Sequence, residues 1–210
     1  DHDVVQARHT ADVYQDFNLA NAARQFQDQV SAAGNDPAGI PMRVAKSTVG
    51  DLGDDAAALA QASIGERDVR LTVLQNAVIA ATVANGGVRM RPYLVDKLQT
   101  ADLRTVSTTS PSAVNRPLSP EEADTLTDMM IRSEQQTYQS QSGIASKTGT
   151  TDPNRSGSAY AWYIAFAPSS SPRIAVAVMI ENGNQGAQSY GGVIAAPIGR
   201  AVLNAYTGGN

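Results

Sequence analysis

Two neighbouring segments in the last third of the chain restrict the fold more than any other feature. Over residues 160–167, Tyr160, Trp162, Ile164 and Phe166 alternate with Ala161, Ala165 and Ala167. Over 173–180, Ile174, Val176, Val178 and Ile180 alternate with Ala175 and Ala177. A period of two belongs to a β-strand, and apolar residues on both rows require a sheet covered on both faces. The alanine row lets helices approach closely. Together with a strand over 144–150 and the polar turn 151–158, which holds Asp152, Pro153, Arg155 and Gly157, these segments predict a β-meander. A final helix over 193–206 would cover one face, with Pro197 kinking it or marking a late start.

The rest of the chain supplies the covering helices. Ala22, Phe26 and Val30 lie on one face of a predicted helix over 18–33, stopped by Gly34-Asn35-Asp36-Pro37. Residues 1–17 show no period, and 38–60 read as a loop with a short alanine-rich helical turn. Leu71, Leu74, Val78 and Ala81, widened by Ile79, Ala80 and Val83, predict a helix over 71–84 buried on most sides. Asn85-Gly86-Gly87 ends it. Strands are expected over 93–98 and 103–107. Ser119-Pro120-Glu121-Glu122 opens a helix to about residue 135 that should bury Leu126, Met129 and Met130. Glu121 and Glu122 read as a charged first turn rather than a catalytic pair, and Trp162 as a buried anchor.

Composition narrows the class. The chain has 210 residues, 42% of them apolar, enough for the core of one domain or of its larger part. A net charge of -4 leaves no basic footprint for nucleic acid. The absence of cysteine excludes disulfides and thiolate metal sites and fits a protein outside the cytoplasm. No apolar run approaches the ~20 residues of a membrane span. Asp1-His2-Asp3 has neither the basic end nor the apolar stretch of a signal peptide, so the expectation is a soluble protein or one whose anchor lies further upstream. His2 and His9 beside Asp1 and Asp3 read as a polar terminus, and no metal is expected.

Lys147-Thr148-Gly149-Thr150 is the segment with chemistry in it. A lysine on a strand edge offers a cation, and threonine hydroxyls offer donors to a carboxylate. Gly149 lets a ligand backbone lie against the strand. The strand's N–H groups can take up a peptide as an added strand. The combination suits a peptide that ends in a carboxylate. A P-loop is disfavoured, because the glycine positions before a Lys-Thr pair hold Ser146 and Gln141. A solvated strand lysine is the alternative reading of the four residues alone.

The surrounding sequence resembles the class B penicillin-binding-protein transpeptidases. The likeness runs through Ser63-Ile64-Gly65, Leu71-Thr72-Val73-Leu74-Gln75-Asn76-Ala77, Ala84-Asn85-Gly86-Gly87 and Arg91-Pro92-Tyr93-Leu94-Val95. It continues through 144–150, Ala161-Trp162-Tyr163-Ile164-Ala165-Phe166-Ala167-Pro168 and Ala195-Ala196-Pro197-Ile198-Gly199, in order over about residues 40–206. Val73 stands where the family usually has proline. The resemblance implies an α/β serine acyltransferase (β-lactamase/transpeptidase-like) fold, with an antiparallel sheet of about five strands, helices on both faces and an incomplete N-terminal part. It divides the chain into 1–37, a remnant of the helical subdomain or a poorly matched N-terminal segment, and the C-terminal part of the transpeptidase domain over 38–210.

By the same resemblance, Lys147 would carry the site's positive field and assist proton transfer. Thr148 and Thr150 would bind the carboxylate of a D-Ala-D-Ala end or a penicillin, Gly149 would admit the ligand, and the Thr150 N–H would be an oxyanion donor. The family's nucleophile motif, S-x-x-K, is not in these 210 residues: three places before Lys46, Lys97 and Lys147 stand Arg43, Leu94 and Ile144. No S-x-N occurs either, and Ala7-Arg8-His9-Thr10-Ala11 stands where it would align. A fragment of an active enzyme is the expectation, with a degenerate, non-catalytic homologue as the alternative and a D,D-carboxypeptidase or β-lactamase as a further one. The resemblance implies peptidoglycan stem peptides and β-lactam antibiotics as ligands, a glycosyltransferase or divisome protein as partner, no cofactor, and an extracytoplasmic, cell-wall-facing site on a parent anchored in the plasma membrane.

Overall fold

A computed structural model describes residues 45, 47–50, 56–63, 65, 68–151, 160–181 and 190–208. The chain divides into two compact units, 1–71 and 72–210. The predicted helix over 18–33, His2, His9, and the turn holding Asp152 and Arg155 lie outside the described residues. Within the first unit, the alanine-rich turn is a helix, α1 (Ala56–Ser63). Thr48 and Arg70 form an antiparallel bridge, with N–H to carbonyl distances of 2.8 and 2.7 Å.

The second unit opens with α2 (Val73–Ala84). Thr72 has extended backbone angles, and its hydroxyl accepts the Gln75 N–H at 3.0 Å, so the helix begins two residues later than its apolar stripe suggested. Val73 takes the first helical position, where proline is favoured but not required. At the other end Gly86 and Gly87 adopt φ of 59° and 84°. Their N–H groups bond to the Val83 and Thr82 carbonyls, a Schellman close that only glycine makes without strain. The expected stripe was rotated: Ala81 is exposed, and the deepest residues are Ala80, Thr82 and Val83.

Between α2 and the next helix lie two short antiparallel pairs. β1 (Arg89–Met90) pairs with β4 (Ala113–Asn115), and β2 (Lys97–Gln99) with β3 (Thr105–Thr108). Residues 93–96, expected in a strand, remain outside one. Leu103 is likewise in the turn rather than the strand, with a left-handed φ of 65°. The helix α3 (Pro120–Gln136) starts as expected. The Ser119 N–H donates to Glu122 Oε2 at 2.7 Å while Ser119 Oγ accepts the Glu122 N–H at 3.2 Å, a complete capping box. Adjacent residues on a helix point about 100° apart. Met130 is therefore buried while Met129, expected in the core, is 58% exposed.

The main sheet has the antiparallel order β5 (Ala145–Thr150), β6 (Ala161–Ala167), β7 (Ile174–Ile180). Its register puts small residues opposite large ones. Ala161, Tyr163, Ala165 and Ala167 pair with Ile180, Val178, Val176 and Ile174 on one face, and Phe166 pairs with Ala145 and Ala175 on the other. On the first face, Ala195, Ala196 and Leu203 of the C-terminal helices close over the alanine row. On the second, Val83 of α2 and Met130 of α3 meet Phe166 and Ala145. Helices thus cover both faces, as the sequence pattern required. Tyr163, fully buried, interrupts the alanine row.

The last helix breaks in two. A single turn, α4 (Gly191–Ile194), precedes α5 (Ala196–Thr207), whose first turn holds Pro197. Proline thus marks a late start instead of a kink. Gly199 of α5 lies directly on Tyr163: a Cβ there would meet Tyr163 Cε1 at 2.6 Å. Helix propensity alone favours alanine over glycine by about 1 kcal/mol. We predict that Gly199→Ala nevertheless lowers stability by about 1–3 kcal/mol, the usual range for forcing atoms into a filled core. The urea unfolding midpoint measures it.

Candidate active site

The strand β5 has β6 on one side and, among the described residues, no strand on the other. Which of its backbone groups face that open edge follows from the ladder. The Thr151 N–H donates to the Tyr160 carbonyl at 3.1 Å, and the Tyr160 N–H donates to Thr151 Oγ1 at 2.7 Å, so the backbone N–H of Thr151 faces Tyr160. Bonded and non-bonded pairs alternate in an antiparallel ladder. With Gly149 opposite Trp162 and Lys147 opposite Ile164, those pairs are bonded too. The N–H and C=O groups of Ser146, Thr148 and Thr150 therefore point away from β6.

Beside that edge lies a cleft of about 620 Å3. Lys147 and Thr148 line it from β5, Met129, Arg132, Ser133 and Gln136 from α3, Thr137 and Tyr138 from the loop after α3, Tyr190 from the N-cap of α4, and Gly192 and Val193 from α4 itself. The Lys147 side chain is on the opposite face of β5 from Thr148 and Thr150, and it curls over the edge so that Nζ donates to the Thr148 carbonyl at 2.6 Å. Thr150 Oγ1 accepts the Gly191 N–H at 3.1 Å, which leaves its own proton to donate elsewhere. Gly191 has no room for a side chain, since a Cβ would meet the Gly149 carbonyl oxygen at 2.7 Å. That close approach ties the start of α4 to the K-T-G-T strand. At Gly149 itself a Cβ would meet only Trp162 Cβ at 3.5 Å, an ordinary contact. Packing does not demand glycine there.

The four motif residues thus share one strand, with Lys147 and Thr148 lining the cleft and Thr150 tied to the edge of α4. Trp162, expected as a buried anchor, is half-buried. Asp152 and Arg155 lie in the undescribed turn. Among the described residues no cluster of three histidine, cysteine or acidic side chains could hold a metal, and no helix is long and apolar enough to cross a membrane.

Sequence reasoning missed the polar cluster beneath the motif. Glu134 of α3, Ser146 of β5, Tyr163 of β6 and Arg200 of α5 are 1%, 0%, 0% and 4% exposed. Glu134 Oε2 accepts the Ser146 hydroxyl and, at 3.0 Å, the Tyr163 hydroxyl. Glu134 Oε1 accepts Arg200 Nε at 2.7 Å and the Gln141 N–H at 3.0 Å. Arg200 Nη1 reaches the Tyr138 carbonyl at 2.8 Å, and its guanidinium carbon lies 5.8 Å from the centre of the Tyr163 ring. Nη2 is buried with no acceptor among the described residues. The signal was present: Glu134 lies four residues after Met130 on the core-facing stripe of α3, and Arg200 lies between Ala196 and Leu203 on that of α5. A charge on a buried stripe must find a partner.

Burial, then the charge of Glu134, raises the pKa of the Tyr163 phenol well above its usual value. The folded protein therefore holds that proton more tightly than the unfolded chain, whose tyrosines titrate near ~10. Stability from this group is full below pH ~10 and is lost as pH rises beyond it. Tyr163→Phe should flatten that alkaline decline, measured as urea midpoints between about pH 8 and 11.

Residues 6–204 match the family described as the penicillin binding protein transpeptidase domain. The peptidoglycan D,D-transpeptidase PbpA of Mycolicibacterium smegmatis is 49% identical over 200 residues, covering 90% of this chain and 40% of that protein. PbpA of Mycobacterium tuberculosis is 47% identical over 199 residues, with the same coverages. The penicillin G acyl-enzyme complex of penicillin-binding protein A from M. tuberculosis superposes with a TM-score of 0.72 at 50% identity, over 80% of this chain and 39% of that one. The chain spans about two-fifths of the length of these relatives.

Proposed function

The chain belongs to the penicillin-binding protein transpeptidase family, and on that premise we propose that it forms the substrate-gripping wall of a peptidoglycan D,D-transpeptidase whose serine nucleophile lies in polypeptide outside these residues. The observation that carries the reading is the open edge of β5, where the N–H groups of Thr148 and Thr150 face outward beside Lys147 and the cleft. A stem peptide would add to that edge as a strand. Its terminal carboxylate would accept hydrogen bonds from the Thr148 and Thr150 hydroxyls, Thr150 being free to donate because its oxygen already accepts the Gly191 N–H. Lys147 supplies the positive field that the carboxylate needs.

In the reaction a serine oxygen attacks the carbonyl of the penultimate D-alanine. The bond to the terminal D-alanine breaks, and that residue leaves with a proton as the free amino acid. The resulting ester passes its acyl group to an amine of a neighbouring stem peptide and regenerates the serine hydroxyl. The outward Thr150 N–H would bond the carbonyl oxygen as it becomes negative, a contact worth about 3–4 kcal/mol of barrier where such donors have been removed. A β-lactam would be opened by the same attack and stay attached, since its leaving nitrogen remains part of the adduct. The setting is the cell wall outside the plasma membrane, with an upstream membrane anchor on the parent protein and a glycosyltransferase or divisome protein as partner.

The sequence favours no catalysis by the chain alone, because it lacks S-x-x-K. Labelling with a fluorescent penicillin tests this. The chain by itself should form no adduct. A chimera in which it replaces the matching part of the M. smegmatis relative should be acylated, and Lys147→Ala should slow that acylation at least 100-fold. Titration of the chain with an N-acetylated D-Ala-D-Ala peptide should shift the Thr148 and Thr150 amide resonances. A stable adduct on the isolated chain, or a Lys147→Ala chimera acylated at the parent rate, would overturn the proposal. If the chimera forms no adduct but the chain still binds the peptide, the non-catalytic reading holds instead.

A further inference from the structure

The buried cluster under β5 is more than core packing. Its four side chains come from α3, β5, β6 and α5, and every bond converges on the Glu134 carboxyl or on its counter-ion. Two anchored points bracket the cleft. Ser146 directly precedes Lys147, and its hydroxyl is held by Glu134 Oε2. The Tyr138 carbonyl is held by Arg200 Nη1, and residues 137 and 138 form part of the cleft wall. Gln141, in the same loop, is held by Glu134 Oε1 through its N–H. The one acidic group therefore sets both the start of the motif strand and the loop that faces it.

We infer that Glu134, Ser146 and Arg200 are positioning residues, which hold Lys147 and the 137–141 loop at the spacing a carboxylate-terminated peptide needs. The inference rests on the function proposed above. An exposed strand lysine has a flexible stem, so its placement depends on how firmly the backbone beneath it is fixed. Among the described residues that backbone has β6 on one side and no strand on the other, and Ser146 is its last inward polar anchor before the motif. Tyr163 is an internal control. It donates to the same Glu134 oxygen as Ser146, but from β6, so its loss leaves the Ser146 anchor of the motif strand in place.

The experiment compares two single-hydroxyl deletions in the full 210-residue chain, Ser146→Ala and Tyr163→Phe. Each is measured for its thermal unfolding midpoint and for affinity toward the N-acetylated D-Ala-D-Ala peptide, read at the Thr148 and Thr150 amides. Both should lower the unfolding midpoint. Ser146→Ala should weaken the peptide at least fivefold, and Tyr163→Phe less than twofold. Arg200→Lys keeps a cation for Glu134 but loses the bond to the Tyr138 carbonyl, and should weaken the peptide at least threefold. Equal effects of Ser146→Ala and Tyr163→Phe, or affinities that simply follow the unfolding midpoints, would show that the cluster only stabilises the fold and would overturn the inference. If the parent chain does not bind the peptide at all, the function proposed for β5 fails, and this inference fails with it.

Discussion

The carboxyl group of Glu134 is the constraint on which the rest of the second unit depends. A buried charge is tolerated only when its partners are close and its lone pairs are filled. Here four donors fill them: two hydroxyls, a guanidinium and a backbone N–H. The donors come from three other elements and a loop. Satisfying one side chain therefore fixes the mutual positions of α3, β5, β6 and α5. Removing any single donor leaves part of a buried charge uncompensated, which costs more than an ordinary hydrogen bond contributes.

Around that node the sheet is assembled by complementary volume. The small row of β6 lies beside the large row of β7, so one face stays level enough for α4 and α5 to pack against it. Gly191 and Gly199 extend the same principle to the helices: each lacks a side chain where sheet atoms leave no space. The contact at Gly191 places the start of α4 against Thr150, so packing and the candidate site meet in the same residues. On the opposite face Phe166 fills the space between Met130 and Val83, which holds α2 and α3 to the sheet.

Much of this was legible in the order of residues. The two alternating rows identified β6 and β7, Ser119 and Glu122 marked the start of α3, and Asn85-Gly86-Gly87 marked the end of α2. These signals are local, because caps and pleats are made by residues close in sequence. The misreadings involved choices that neighbours in space make. Met129 and Met130 are equally apolar, and only the position of β5 decides which is buried. The stripe of α2 was rotated for the same reason. Of the expected sheet of about five strands, the described residues show three in the main sheet. The family likeness read from short motifs is the one that comparison over residues 6–204 shows.

The chain's chemistry was set by its sequence alone: a lysine-threonine strand, an S-x-x-K absent from these residues, and helices able to cover both faces of a sheet. Tertiary structure decided which backbone groups of that strand face the cleft, because strand pairing consumes alternate N–H groups and leaves the others free. It also decided that Glu134 and Arg200, 66 residues apart, would be partners. Nothing local links two such residues. They meet because the sheet brings the end of α3 to the middle of α5, and an unpaired charge could not remain there.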